Sequence, residues 1–507
     1  MPTYLSPGVY VEEVEAGARP IEGVGTAVAA FVGFAARGPF NTPTLVSNWA
    51  QYTQAFGDFV EDCYLAQSVY GYFLNGGANC YVVRIGGERG NGSGNGSEAA
   101  GPQAALGGYR VHAKELGAGD ITVEVADPAG ENPPDDRFTL LVKQNGKVVE
   151  THNVTTKRTK DNVLTVVQEK SNLITIEETS TAPARPDKGA VALKDSPAAP
   201  PVPRKVAPDD YVGDVADRTG FGGLEAIEDI TMVAVPDLMG SYQRGLITLE
   251  SVKAVQLAIT AHCELMGNRM AILDPPPSLT PQEVRDWRQN AAGYDSKYAA
   301  LYYPWIKVFD PAGDEHRFVP PSGHLAGVWA RTDGTRGVHK APANEVVRGA
   351  VALETQLTKA EQELLNPIGV NCVRSFPGRG IRVWGARTLS SDPAWRYLNV
   401  RRLFNYLEDS ILIGTQWVVF EPNDDALWAR IRRTISSFLV TEWRKGALFG
   451  LTPDEAFYVK CDRETNPAES IDVGQVVCEV GIAPVKPAEF VIFRLAQVSG
   501  GTSLVNE

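Results

Sequence analysis

The residues best suited to chemistry in this 507-residue chain are Asp310, Asp314, Glu315, His316, His324, Asp333 and His339. Imidazoles and carboxylates gathered in one stretch could ligate a divalent cation, or supply a base and its orienting partner. Their spacing weighs against both. The histidines stand eight and then fifteen residues apart, which matches no short ligand motif, and Pro320-Pro321-Ser322-Gly323-His324 reads as a turn. Asp274-Pro-Pro-Pro-Ser278 reads as a rigid turn as well. The chain has no G-x-x-x-x-G-K-[ST] phosphate loop, no G-x-G-x-x-G at a strand-to-helix turn, no H-E-x-x-H and no G-x-S-x-G. The six cysteines, at 63, 80, 263, 372, 461 and 478, never come closer than seventeen positions, so they form no metal knuckle and read as buried, reduced thiols. No catalytic residue, metal ligand or cofactor is expected. An α/β hydrolase or metal-dependent enzyme using the 310–339 cluster remains the alternative.

The elements that would position these residues follow from periodicity and turn signals. Strands are expected at Val28–Gly33 and Cys80–Ile85, with a helix over Tyr64–Asn75. A Gly/Asn/Ser-rich connector covers 86–108, and a stiffer one with seven prolines covers 181–208. Between them lies a β-rich island. Its centre is a hairpin turning at Asn145-Gly146, and further strands are expected at Ile121–Val125, Asn162–Val167 and Leu173–Glu177. The chain then alternates: a strand from Ile230, a helix over 246–266, a strand Arg269–Leu273, a helix from Thr280-Pro281 and a strand Ala299–Phe309. That order predicts a mostly parallel α/β core. Two amphipathic helices are expected in the last third. One opens at Asp392-Pro393; the other starts at Asn423-Asp424-Asp425 and ends at Arg444-Lys445-Gly446, with acids and bases placed to suit the helix dipole.

Composition narrows the function class. The formal net charge is −13, and 43% of residues are hydrophobic against 21% charged. An acidic chain of ordinary globular composition argues against a nucleic-acid binder, a disordered protein or a membrane bundle. The opening Met-Pro-Thr-Tyr-Leu-Ser-Pro-Gly has no basic or apolar signal region, and no apolar run is long enough for a membrane span. The charge is uneven. Residues 346–507 carry 18 basic and 19 acidic side chains, whereas 366–446 carry 12 basic and 7 acidic. A basic stretch in an acidic protein is a solvated face or a docking surface for an acidic partner.

Both ends look outward. Tyr4-Leu-Ser-Pro-Gly-Val-Tyr-Val-Glu-Glu-Val is strand-like and set off by Gly17–Gly25, and Pro487-Ala-Glu-Phe-Val-Ile-Phe-Arg-Leu-Ala is a strand followed by a tail. Such segments either complete their own sheet or add to a neighbour's.

Ser6-Pro-Gly-Val-Tyr-Val-Glu-Glu resembles the opening of contractile phage tail sheath proteins. So does Pro321-Ser-Gly-His-Leu-Ala-Gly-Val-Trp-Ala-Arg-Thr-Asp, followed by Arg336-Gly-Val-His-Lys-Ala-Pro-Ala-Asn-Glu345. Asn399-Val-Arg-Arg-Leu-Phe-Asn-Tyr-Leu-Glu408, Trp417-Val-Val-Phe-Glu-Pro-Asn423 and Gly481-Ile-Ala-Pro-Val-Lys-Pro-Ala-Glu-Phe490 are similar to the family's C-terminal domain. The resemblance covers 1–85 and 210–507. It implies a multidomain α/β (α+β) fold: an N-terminal arm (1–23), a mixed-sheet core domain (24–85 plus 209–345), an inserted β-rich outer domain (86–208), a C-terminal domain facing an inner tube (346–490) and a C-terminal arm (491–507). It further implies a subunit that stacks as rings into a helical sheath in an extended, metastable state, then contracts to drive the tube through a membrane without inserting itself. The implied partners are further copies, the inner tube protein, and baseplate and terminal cap proteins. Assembly in a bacterial cytoplasm and release in a phage or phage-tail-like particle are implied too. Strand exchange would use Tyr4, Leu5, Val9, Tyr10, Val11, Phe490, Ile492, Phe493 and Leu495. The family's charged tube contact makes Arg401, Arg402, Arg430, Arg432, Arg433, Arg444 and Lys445 the candidates here.

Overall fold

A computed structural model describes residues 20–86, 103–114, 121–128, 134, 136–178, 185–193, 203, 205–311 and 313–494. The arm residues Tyr4, Leu5, Val9, Tyr10, Val11 and Leu495 lie outside them.

Eight strands form the central sheet: β1 (Val28–Gly33), β2 (Thr44–Val46), β3 (Asn79–Arg84), β4 (Met232–Ala234), β5 (Met270–Leu273), β6 (Ala299–Tyr303), β7 (Val370–Phe376) and β8 (Gly380–Val383). Their order is β8-β7-β6-β5-β4-β1-β3-β2. The six inner strands run parallel, and β2 and β8 close the edges antiparallel. β4 and β5 are buried at every position and β1 at all but its first, as strands covered on both faces must be. The expected parallel α/β core is therefore present. It is also wider than expected: β7 and β8 lie beyond residue 346, so the chain extends this sheet before leaving it.

Helices α1 (Leu65–Leu74), α2 (Leu249–Met266) and α3 (Ser322–Arg336) flank the sheet. The stretch 320–324, expected as a turn, instead starts α3. A methyl group on Gly323 would lie 2.3 Å from the Ser68 Cα, and one on Gly327 would lie 2.4 Å from the Tyr72 carbonyl oxygen. The two glycines, one helical turn apart, let α3 press onto α1. Ser-Gly-His-Leu-Ala-Gly is thus a helix-packing motif.

Residues 103–193 enclose a separate apolar cluster that includes Val111, Val123, Phe138, Leu140, Val142 and Val167. It sits between a four-stranded sheet (Ile121–Ala126, Arg137–Gln144, Lys147–Thr155, Gly189–Ala192) and a three-stranded one (Gln103–Leu106, Tyr109–Ala113, Ile174–Glu178). The hairpin turns where expected, with Asn145 at φ 50 and Gly146 at φ 79. The strand expected at 162–167 is a helix, Val163–Lys170. Asn162 accepts from the Leu164 N–H at 3.0 Å, and this cap outweighs the β-branched run that follows it.

Two other expectations change. The strand 299–309 is broken at Pro304, which has no N–H to donate; Ile306–Asp310 pairs instead with Glu315–Val319 and Ala350–Leu353. The helix expected from Pro393 starts only at α4 (Leu398–Gly414), because Thr388 and Arg387 hold 396–397 in an extended pairing. Asp392 accepts from Ala394 N–H at 2.8 Å and caps a turn. Helix α5 (Asp425–Arg444) begins within the expected Asn423-Asp424-Asp425 opening, with Asp424 as its cap. Leu403, Leu407, Leu427, Ile431, Phe438 and Leu439 of α4 and α5 build a third cluster, which Ile21 and Val338 join.

Candidate assembly surface

The fold scatters the 310–339 cluster. Asp310 bonds Arg317 at 3.2 Å and Gln67 at 3.3 Å, while Asp314, Glu315 and His316 lie exposed on the hairpin. His324 is buried in α3 against Gly71, and burial lowers its pKa to about 4, so the ring stays neutral. Asp333 faces Arg402, and His339 is half-buried with its carbonyl accepting from Asn399 at 2.7 Å. Among the described residues no group of three His, Cys, Asp or Glu side chains could hold a metal ion, and no helix is long and apolar enough to cross a membrane.

The basic candidates separate by burial. Arg401 is 1% exposed; it bonds Asn405 at 2.7 Å and Glu408 at 3.0 Å and lies over the Trp395 ring at 4.4 Å. Arg402 is 4% exposed. Its guanidinium donates to Asp333 Oδ1 at 2.9 Å and to the Thr26 carbonyl at 3.1 Å, over Trp329. Both are corrected from tube contacts to internal fasteners, because a buried charge must keep its internal partner. Arg402 joins α3, α4 and the segment at Thr26. Arg432 donates to the Cys461 carbonyl, Lys445 to Glu442 at 2.8 Å, and Arg430 to Glu421 at 2.9 Å while covering Trp417. Arg433 and Arg444 are exposed and have no ion-pair partner among the described residues. With Arg430 they lie on the solvent face of α5, opposite Leu427, Ile431, Ile435 and Phe438.

The residues that flank the two expected arm segments are each tied to the body of the subunit. Ile21 packs against Gly414, where a methyl group would meet its side chain at 2.6 Å, and Val24 N–H donates to Ser410 Oγ at 3.1 Å. At the other end Glu489 accepts from Arg387 at 2.6 and 2.9 Å and from Asn366 at 2.7 Å. Burial works against ionisation of Glu489, but Arg387 and Asn366 outweigh it and hold the carboxyl below its ordinary range. Past this clamp, Phe490, Val491, Ile492 and Phe493 stand exposed, Ile492 at 79% and Phe493 at 84%. Among the described residues, the strand expected from Pro487 pairs with no other strand as far as Arg494. Among the described residues, β9 (Phe457–Lys460) and β10 (Glu479–Ile482) form a two-stranded ribbon with no third strand on either outer edge. Tyr458 lies over Gly481, its cross-strand partner, where a methyl group would meet the ring at 2.1 Å. Sequence reading missed Asp333, Glu489 and Tyr458 as structural groups. Asp333 and Glu489 sat inside quoted motifs and Tyr458 in an unremarked stretch, with nothing in their spacing to mark a distant partner.

Residues 219–389 match the phage tail sheath protein central domain, and residues 390–497 match the phage tail sheath C-terminal domain. The tail sheath protein of Burkholderia phage BcepMu is 26% identical over 490 residues, covering 93% of this chain and 92% of that protein. The tail sheath protein of Vibrio phage KVP40 is 29% identical over 206 residues, 40% of this chain but 30% of that longer protein. The helical sheath of the anti-feeding prophage in its contracted state has a similar fold, with a TM-score of 0.61 at 25% identity over 98% of this chain and all of that one. The contracted sheath of an extracellular contractile injection system shares the fold, with a TM-score of 0.60 at 24% identity over 98% of this chain and 99% of that one. These matches leave no support for the hydrolase or metal-enzyme alternative. The chain belongs to the contractile tail sheath family, as a structural subunit and not an enzyme.

Proposed function

We propose that this subunit stacks in rings into a helical sheath around an inner tube, is held there in an extended metastable state, and shortens on a baseplate signal to drive the tube through a target membrane. The observation that carries this reading is the apolar run Phe490–Phe493, exposed beyond its Glu489 clamp in a subunit whose β9–β10 ribbon has no third strand among the described residues. Covering each of these side chains would release about 2 kcal/mol, so a run of four seeks a partner. Strand addition to a neighbour's ribbon satisfies the apolar side chains and the unpaired backbone together. On this reading Phe490, Ile492, Phe493 and Leu495 leave with the C-terminal arm. Tyr4, Leu5, Val9, Tyr10 and Val11 leave with the N-terminal arm, whose root lies on α4. Because such contacts run from one copy to the next without closing, they generate a filament.

The same proposal assigns the exposed face of α5 to the tube, 103–193 to an outer domain inserted between halves of the core, and the start of the C-terminal domain to about residue 390 rather than 346. Support for the last point is that β7 and β8 are strands of the central sheet. Cap proteins, and assembly in the cytoplasm before release in a particle, complete the reading. The test is removal of residues 1–16. The truncated protein should fold, with unchanged circular dichroism, yet give no stable sheaths by negative-stain electron microscopy. Sheaths of normal length that still contract would overturn strand exchange.

A further inference from the structure

Lys460 and Glu479 are the last paired residues of the β9–β10 ribbon, and the next residues on the two strands are Cys461 and Cys478. Directly opposed residues in an antiparallel pair have Cβ atoms about 4.5–5.5 Å apart, close to the ~3.5–4.5 Å that a disulfide needs. The register therefore brings the two thiols to the same end of the ribbon, where each perturbs the other's titration. The intervening loop keeps them so: Val477 N–H donates to Asn466 Oδ1 at 2.6 Å, and Asn466 Nδ2 donates to the Val477 carbonyl at 3.0 Å and reaches Cys461 Sγ at 3.9 Å. Cys461 is buried and Cys478 only partly so. Among the described residues, no strand ladder pairs two cysteines, and no other ladder ends with a cysteine next on each strand.

We propose that Cys461 and Cys478 form an oxidisable dithiol that closes to an intramolecular disulfide when the protein meets a small-molecule disulfide such as oxidised glutathione. The Cys478 thiolate, the more accessible of the two, attacks one glutathione sulfur and releases the first glutathione as its thiolate. The Cys461 thiolate then attacks Cys478 Sγ and displaces the second. Two protein thiols are oxidised, one glutathione disulfide is reduced to two glutathiones, and the protons lost by the cysteines pass to the departing thiolates. The closed bond would tie off the base of the ribbon and leave its outer edges open. This inference stands whether or not the ribbon receives a neighbour's arm.

Burial pushes the Cys478 thiol up to about 12, so closure should be slow at neutral pH and accelerate about tenfold per pH unit up to pH 9. The test incubates the native full-length protein with a tenfold excess of oxidised over reduced glutathione, quenches with acid, and alkylates under denaturing conditions. Alkylatable thiols should fall from six to four, and peptide mass spectrometry should find Cys461 joined to Cys478. Cys461→Ser should instead stop at a glutathione adduct on Cys478. Six alkylatable thiols after treatment, a lasting glutathione adduct on wild-type Cys478, or disulfide-linked dimers on a non-reducing gel would each overturn the proposal.

Discussion

Buried charge is used sparingly in this protein, and each instance makes a distinct demand. The Asp333 side chain is 3% exposed and its Arg402 partner 4%. Removing one member leaves the other charged, dry and unpaired, which costs about 3–5 kcal/mol, whereas replacing both by apolar residues of similar volume is often nearly neutral. Asp333→Ala should therefore lower stability by about that amount in urea denaturation, and Asp333→Leu with Arg402→Met should recover most of it. Equal losses in the single and double variants would show that the pair is not acting as a pair. Asp274 makes a different demand. It receives the Ser322 N–H at 2.9 Å and the Ser322 hydroxyl at 2.6 Å at the start of α3, and burial raises its carboxyl from 3.8 to about 7. Burial likewise lifts Asp237 to about 6. The folded state then binds more protons than the unfolded chain between pH 4 and 7, so these two carboxyls lower stability as pH rises through that interval. Asp274→Asn should flatten the fall in urea midpoint between pH 5 and pH 8; parallel curves for variant and wild type would refute this assignment.

At the scale of elements, the island at 103–193 has its own apolar cluster and its own two sheets, so it can be lifted from the core without opening the central sheet. Deleting 90–205 should leave a folded subunit that still forms sheaths, scored by electron microscopy. Subunits that fold but fail to assemble would place the island at a contact between copies. The elements also show how much could be read from the sequence. The Asn145-Gly146 hairpin, the parallel core and α5 with its Asp424 cap followed from local signals, because turn chemistry, periodicity and capping act within a few residues. The 162–167 segment misled because a single Asn cap outweighed a run of β-branched residues, and the start of α4 moved because its preceding residues pair with Arg387 and Thr388. Those are tertiary facts. Of the candidate site residues, Phe490, Ile492 and Phe493 are exposed, while Arg401 and Arg402 looked like Arg433 until the fold buried them. Nothing in a basic stretch tells which cation will find an internal carboxylate nearly seventy residues away, as Arg402 does with Asp333.

At the scale of the whole molecule, the net −13 is unevenly laid out, and the solvent face of α5 offers Arg430, Arg433 and Arg444 on an otherwise acidic subunit. A sheath contact with a tube must template assembly and then let go. Solvent-screened ion pairs suit that requirement, since each exposed pair contributes only about 0–1 kcal/mol and many act together along a helical array. Arg430 already has Glu421, so the two with no ion-pair partner among the described residues are the decisive ones. Arg433→Glu with Arg444→Glu removes no ion pair among the described residues and should change subunit stability by about 0.5 kcal/mol or less, the ordinary range for surface substitutions. Assembly onto the tube should nonetheless fail, and wild-type assembly should weaken as salt rises and the Debye length shortens from about 10 Å at 0.1 M to about 3 Å at 1 M. Tube-filled sheaths of normal length from the double variant, or wild-type assembly indifferent to salt, would move the tube contact off α5 and onto an apolar surface.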